Sequence, residues 1–523
     1  MSAMRQTLIK NRTRLITLAI LTFLFVSAIQ GMETQDWVIT ILRGLSVAAV
    51  TFLVAAGFSL IFGLMDVLNL AHGELFMLGA YIGWTVYVRP DTFVDLIAPL
   101  ALFSVGFVLL PLWRVGLGKL KMPPVAWQIG PWLALIAALL ILARTFVQFP
   151  IVKWDPEVYA ESPMTYALAL SQGTMVLPEG LPFTGVPPAL AIVGTLLGSA
   201  LLAAGFAAFG MRKQTAVPST RIPKGAIAGA VALILIGLAA YWGNDAWSET
   251  LFNMNSTGRF FLAMLVATST GFVLGGLIES TMVRPLYDRP IYQIMLTLGL
   301  SFIIIELVRS IWGRPEFTMP KPDMFAGAGP LCVKEVTGFM ERIANQCSTV
   351  FLFDGRIRTY NEIFIILVGL VVLVAVWLLM QKTRIGMIIR AGVQDREMVE
   401  ALGINVRQVF TFVFALGVGL AALGGILAAP SMGLSTGMGA RLLLLALIAL
   451  AIGGLTSFPG AAAGAVLVGL LQQFIIKYGQ IGINIPFMAE PFKPSPPLVP
   501  ASTVLLMVVV LLILPQGLFG RDE

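Results

Sequence analysis

The residues best suited to chemistry lie in Asp66-Val-Leu-Asn69-Leu-Ala-His72-Gly73-Glu74, which contains the single histidine of the chain. On a helix, Asp66, Asn69 and Gly73 share a face, with His72 beside them. A carboxylate, an amide and an imidazole this close could hold a polar solute or pass a proton. They sit between two long apolar runs, and polar groups at membrane depth are costly unless they line water, protein or substrate. Two readings stand side by side. In one, a broken helix borders a translocation path through Asn69, His72, Gly73 and Glu74. In the other, the segment is a cytoplasmic turn whose polar residues cap the next helix. Either way His72 is expected near the cytoplasmic interface, too shallow for direct substrate contact.

Three further clusters draw attention. In Asp395-Arg-Glu397-Met-Val-Glu400-Ala401-Leu402-Gly403-Ile404-Asn405, the residues Met398, Ala401 and Leu402 form a small apolar face and Gly403 ends a short helix. Such a helix suits docking into a partner's groove and equally suits an ordinary capped surface helix. The run Gly453-Gly454-Leu-Thr456-Ser457-Phe-Pro459-Gly460 offers small residues for close helix approach and a forced turn at Pro459 and Gly460. The two cysteines, Cys332 and Cys347, fall in a segment expected outside the cell, where disulfides persist. Bridging them would close a loop for which chain entropy gives roughly 3 kcal/mol. One histidine and two cysteines argue against a metal centre or a Ser-His-Asp triad, so no catalytic residue, metal or cofactor is expected. The phosphate loop GxxxxGK[ST] does not occur in the sequence. Among scattered charges, Glu306 and Arg309 are spaced to pair, Arg43 can snorkel at a span end, and Glu279 precedes Arg284-Pro285 at a cytoplasmic end.

The elements that must position these residues are hydrophobic. Of 523 residues, 58% are hydrophobic and 12% charged, against about 25% charged in soluble proteins. That balance excludes a soluble enzyme, a disordered chain and a nucleic-acid-binding domain, despite the net charge of +7. About 20 apolar residues cross a bilayer, and fourteen candidate runs occur: 15–30, 37–62, 74–88, 96–112, 131–148, 187–210, 225–243, 259–281, 291–312, 361–381, 407–430, 441–456, 461–480 and 500–515. Helices are required because lipid cannot satisfy an open backbone, and the runs lack the alternation of barrel strands. The first run follows Arg5, Lys10, Arg12 and Arg14. It could be a signal peptide, and with no small-x-small cleavage site after Gln30 it reads as a retained anchor.

Segments 1–14, 113–124 and 211–224 carry eleven basic residues and no acid, whereas 31–36, 89–95, 149–186 and 244–258 carry ten acids and only Arg89 and Lys153. Lys and Arg set orientation, so the first set is cytoplasmic and both termini are expected inside. The loop at 382–406 then lies inside and 313–360 outside. The expected organisation is a basic tail and extra anchor helix at 1–36, a core at 37–88 and 259–523, and an inserted region of four helices at 89–258. Two places break the apolar pattern with Gly, Pro and polar residues: Met65 to Glu74, and Pro430 to Arg441. Interrupted segments of this kind often mark a transporter's substrate path.

Read together, the motifs resemble a family. Leu68-Asn69-Leu-Ala-His72-Gly73-Glu74 with Met77-Leu-Gly79-Ala80-Tyr81 is similar to the N-x-A-H-G-E…M-x-G-A-Y signature of bacterial branched-chain amino acid ABC importer permeases of the LivH type. Arg284-Pro285-Leu286 with Leu296-Thr297-Leu298-Gly299-Leu300-Ser301 resembles the next block, and Glu400-Ala401-Leu402-Gly403-Ile404-Asn405 the cytoplasmic coupling segment. Gly453-Gly454 with Phe458-Pro459-Gly460, and Pro515-Gln516-Gly517-Leu518-Phe519-Gly520, complete the order over some 260 residues. The resemblance implies an all-α polytopic inner-membrane bundle with broken helices and a cytoplasmic coupling helix that includes Glu397 and Glu400. It implies a half-pore working with a second permease subunit, two cytoplasmic ATPases and a periplasmic binding protein, carrying branched-chain or related small amino acids or amides. The rival reading is an ion-coupled secondary transporter using Glu74, Glu306 or Glu279 as its coupling carboxylate.

Overall fold

A computed structural model describes residues 12–519 apart from 31, 120–122, 152–160, 163–164, 167–168, 170–185, 212–223, 288, 317, 328–331, 333–338, 354, 395, 456 and 484–489. Arg5, Lys10, Lys153, Asp395, Thr456 and Gly520, singled out above, lie outside the described residues.

Every one of the apolar runs is a helix, as an uninterrupted apolar backbone with no water to bond must be. Ten helices among the described residues are long and apolar enough to cross a bilayer, not the fourteen expected. The runs at 74–88, 441–456 and 500–515 become His72–Val88, Met438–Gly453 and Leu498–Ile513. At 1.5 Å per residue these rise only about 25 Å, short of a hydrocarbon core of about 30 Å. In the first run, the apolar helix is Ala19–Ala28.

The chain divides into two units, the first comprising 1–84, 156–164 and 256–523 and the second 85–155 and 165–255. The first begins with α1 (Arg12–Gln30), α2 (Thr34–Met65) and the start of α3 (His72–Val88). The second contains α4 (Pro90–Val108), α5 (Leu110–Lys119), α6 (Pro124–Thr145), α7 (Pro188–Met211), α8 (Lys224–Trp242) and α9 (Asn244–Asn253). Its small core of Ala98, Leu102, Ala191 and Ala240 is pinned at one end by two polar ties. Arg89 grips Asp91 through Nη2 at 2.7 Å and Nε at 3.0 Å, and Asn244 donates to Asp95 at 2.8 Å.

The first unit continues with α10 (Ser256–Ile278), α11 (Pro290–Trp312), α12 (Phe339–Ala344), strands β1 (Thr349–Leu352) and β2 (Gly355–Arg358), α13 (Ile365–Lys382), α14 (Arg384–Gln394), α15 (Arg396–Ala401), α16 (Val406–Met432), α17 (Met438–Gly453), α18 (Phe458–Ile481) and α19 (Leu498–Ile513). At its centre stands α2, buried at every residue from Thr51 to Ile61. A helix apolar all round belongs inside a bundle. It packs on α16 through Gly57 and Gly417, where neither position has room for a Cβ. By contrast α10, α11 and α13 leave Leu265, Phe302, Ile303 and Leu370 exposed, a surface suited to lipid.

The segment 313–360, read from sequence as a loop, contains an antiparallel hairpin with Val350 opposite Ile357 and Phe351 opposite Arg356. Its buried side, Val350 and Ile357, packs with Val38 of α2. Cys332 and Cys347 are disulfide-bonded, with Cα atoms 5.6 Å apart.

Candidate functional site

The first break is set by Asp66, which caps α2 in the left-handed region at φ 51°. That single turn sends the chain back alongside the helix it has just left. Residues 66–71 are not helical, and Val67, Asn69 and Ala71 alternate into the interior. His72 Nε2 then lies 3.2 Å from the carbonyl oxygen of Val54. Val54 precedes the end of α2 by eleven residues, a rise of about 16 Å. His72 therefore sits deep against α2, edge-on to Phe58, and not at the helix end where the sequence reading placed it. A carbonyl only accepts, so Nε2 carries the proton, and Nδ1 is left as a buried acceptor with no partner among the described residues.

Asn69 does not cap α3. It is 0% exposed, and neither its side-chain oxygen nor its nitrogen has a partner. The connection to α3 is made by backbone, with the His72 N–H donating to the Asn69 carbonyl at 3.2 Å. Thr297 of α11 holds this extended segment, accepting the Leu70 N–H at 3.2 Å and lying 3.2 Å from the Leu68 carbonyl. One turn on, Ser301 donates to Glu74 Oε1 at 3.4 Å. Glu74 Oε2 is buried and unpartnered.

The second break meets the first. Pro430 lies in the last turn of α16 and Gly433 ends it, after which α17 starts at Met438 beside the start of α3. A Cβ on Gly439 would stand 2.6 Å from the Gly73 carbonyl oxygen and 2.7 Å from Glu74 Oε2. Only glycine permits this approach. Two helix N-termini, each with partial positive charge, thus converge beside one carboxylate. Burying an unpaired amide or carboxylate oxygen costs roughly 1–3 kcal/mol. Interrupted helices form the substrate sites of many transporter folds.

Between α14 and α16, α15 is closed by a complete hydrogen-bonded cap. Gly403, at φ 81°, donates to the Glu400 carbonyl at 3.0 Å, and Ile404 donates to that of Val399 at 3.3 Å. Asn405 caps α16 by accepting the Gln408 N–H at 3.3 Å. Ala401 is exposed, Met398 and Leu402 are 59% and 72% exposed, and Val399 is buried. Val399 forms a buried cluster with Val406 and Phe410, against which Leu64, Met65 and Tyr287 pack. The cluster thus joins the short helix to the start of α16 and, through Leu64 and Met65, reaches the end of α2 next to the turn at Asp66. Glu397 lies within α15.

The glycine-rich turn joins α17 to α18. Gly454 ends α17 at φ 111°, Ser457 accepts the Gly460 N–H at 3.2 Å, and Pro459 lies in the first turn of α18. Gly453 and Gly460 face each other with no space for a Cβ. Leu518 and Phe519 add their N–H groups to the carbonyls of Ile452 and Gly453.

Sequence reasoning gave Thr297 and Ser301 no role, although both lie in a motif quoted for the resemblance. It also missed a buried network. Glu279, 0% exposed, receives Arg284 at 2.7 and 3.1 Å and the Tyr287 hydroxyl, while Arg284 also donates to Thr411 of α16 at 2.5 Å. The Glu306–Arg309 pair forms at 2.6 Å on an exposed face. Arg43 does more than snorkel: its guanidinium reaches the buried Glu362 at 3.2 Å.

Comparisons with known proteins agree with this architecture. A family model described as a branched-chain amino acid transport system permease component matches residues 189–515. The high-affinity branched-chain amino acid transport system permease protein BraD of Pseudomonas aeruginosa is 29% identical over 171 residues, 32% of this chain and 51% of that protein. LivH of Escherichia coli, described in the same terms, is 24% identical over 272 residues, 50% of this chain and 74% of its own length. The fructose import permease protein FruF of Bifidobacterium longum is 33% identical over 136 residues, 24% of this chain and 37% of that protein. The match to BraD spans about half the length of that relative. No solved structure matches the chain.

Proposed function

We propose that this chain, which belongs to the family of branched-chain amino acid transport permease components, forms one membrane half-pore of an ATP-driven importer of branched-chain or related small amino acids. The observation that carries the reading is the meeting of the two interrupted helices at Gly73 and Gly439, with the unpartnered polar atoms of Asn69, His72 and Glu74 beside it. The partners are a second permease subunit, two cytoplasmic ATPases and an external binding protein. Hydrolysis is assigned to the separate subunits because the chain carries no phosphate loop of its own.

In this reading α15 docks on an ATPase. A ligand shifts a conformational equilibrium only by binding its states unequally, and ATP bound to the partner supplies that difference. The displacement passes through the cluster of Val399, Val406 and Phe410 to Leu64 and Met65, then to the Asp66 turn and the extended segment bearing Asn69. Both termini are assigned to the cytoplasm by the charge count. The region 89–258 is assigned as an insertion, since every motif of the resemblance lies in the first unit.

Proteoliposomes test the reading. Co-reconstituted with its ATPases, second permease and binding protein, the chain should accumulate labelled leucine only with internal ATP and magnesium. Uptake by this chain alone, driven by a proton or sodium gradient, would replace the importer with the ion-coupled rival.

A further inference from the structure

The β2 strand and the start of α2 border a cavity of about 790 Å³ within the first unit. Strand periodicity dictates its chemistry. In β2, Gly355 and Ile357 turn inward and Arg356 and Arg358 turn out, as alternation requires. Both arginines line the cavity, joined by Lys321, Arg43 and Lys477. Two of these five cations are already engaged: Lys477 with Asp36 at 2.6 Å and Arg43 with Glu362 at 3.2 Å. Among the described residues, no hydrogen bond or ion pair is made by the side chains of Arg356, Arg358 or Lys321. Lys321 sits partly buried, about 6 Å from the ring centre of Tyr360. Burial, and then the positive charge of Arg358, hold its pKa below the ordinary lysine value. Lys321 is partly buried beside the exposed Arg356 and Arg358, and the carboxylates at hand, Asp36 and Glu362, are paired with Lys477 and Arg43, so the cluster keeps an excess of positive charge that an arriving anion relieves. Ile39, Met319 and Phe325 supply apolar wall. The volume falls in the range of small-molecule sites, about 300–1,000 Å³.

We propose that this cavity is a capture site for the carboxylate of a small aliphatic solute, with Arg356, Arg358 and Lys321 taking the carboxylate and the apolar wall taking the side chain. It rests on the reading above in placing the cavity on the external face, where a solute released by a binding protein would first meet the permease. Arginine matches a carboxylate in bidentate geometry. The cluster has cationic charge in excess, so the site selects the carboxylate and tolerates loss of the amine.

The test uses the full chain in lipid nanodiscs and ligand-detected NMR with three probes: L-leucine, isocaproate (leucine without its amine) and leucinamide (no carboxylate). Leucine and isocaproate should bind saturably and compete, and leucinamide should bind at least tenfold more weakly. The double variant Arg356→Gln/Arg358→Gln, on the solvent side of a strand held by main-chain bonds, should lower carboxylate affinity at least tenfold while the disulfide still forms. Equal binding of leucinamide, affinity unchanged in the double variant, or no binding of either carboxylate would overturn the proposal. If instead the double variant only weakens capture of the binding protein, the cations serve an acidic protein side chain and the proposal also falls. ATP-driven leucine uptake, measured in parallel on the complete importer, separates the two readings. Uptake intact without carboxylate binding removes the capture site alone. Carboxylate binding without ATP-driven uptake removes the importer reading and leaves the site.

Discussion

Gly73 and Gly439 meet backbone to backbone, so that a Cβ on Gly439 would stand 2.6 Å from the Gly73 carbonyl oxygen. The contact ties together the first turns of two helices that each begin after a break in the apolar pattern. Gly439→Ala should force α3 and α17 apart, at a cost typical of overpacking, about 1–3 kcal/mol. The expected outcome is a lower unfolding midpoint in detergent and loss of leucine uptake per folded complex. Gly299→Ala on α11, where an added Cβ meets nothing within 4 Å, serves as the control and should change neither.

Asn69 gives a prediction of opposite sign on stability. Its amide is buried with neither atom bonded, so it contributes desolvation cost without a compensating bond. Asn69→Leu, close in size, should leave the unfolding midpoint unchanged or raised, while uptake falls at least tenfold with the complex assembled. A cap would behave otherwise, losing about 1 kcal/mol of stability with uptake falling only in proportion to the protein lost. Differential scanning fluorimetry alongside transport separates the two.

The helices were legible in the sequence because a long apolar run in lipid has one backbone solution. The depth of His72 was not, because it depends on a left-handed turn at Asp66 that reverses the chain, and sequence spacing carries no depth. The sequence did mark both breaks, but their meeting needed the path of α16 and α17. The hairpin was not legible: Gly355 pairs with Leu352 inside the ladder, so the Asp-Gly sequence that would signal a two-residue turn there points to the wrong register. Glu279 and Arg284 are spaced i,i+5, outside the usual helical pairing distances. They meet because the π-helical turn Glu279–Val283 widens the backbone there.

That ion pair is the next test. Glu279 is fully buried and Arg284 one-third exposed, so removing the carboxylate strands a partly solvated guanidinium. Glu279→Gln should destabilise by about 1–3 kcal/mol, less than the loss of a fully buried pair. Adding Arg284→Gln should recover part of this in a double-mutant cycle. Additive losses in chemical denaturation would show that the two side chains do not act as a unit.

The Cys332–Cys347 bridge spans 15 residues of sequence, for which chain entropy gives about 3 kcal/mol. Non-reduced protein should take up no maleimide, and Cys332→Ser/Cys347→Ser should expose the hairpin main chain to faster hydrogen exchange at Val350 and Ile357. Unchanged exchange there would mean that packing on Val38 holds the hairpin without the bridge.

The proposed link to an ATPase runs through the short helix α15, and its geometry decides how to probe it. A bulky residue at Gly403 would be a poor probe, because φ 81° strains any L-residue by about 1–2 kcal/mol before a partner is met. Met398 and Leu402 are better, since both are largely exposed and their loss removes little from the core. Leu402→Asp should fold, reach the membrane and leave the cap at Gly403 intact, yet desolvating its charge in a groove would be unfavourable. Glu400→Lys reverses the adjoining charge and should weaken association in a salt-dependent manner. Both variants should lose ATPase co-purification by at least tenfold, with the Leu402→Asp loss insensitive to salt and the Glu400→Lys loss partly relieved by added salt or by a compensating acidic substitution on the groove. Normal co-purification and coupled hydrolysis in both would make α15 a solvated turn, and the path from Val399 through Leu64 and Met65 to Asp66 would have no input.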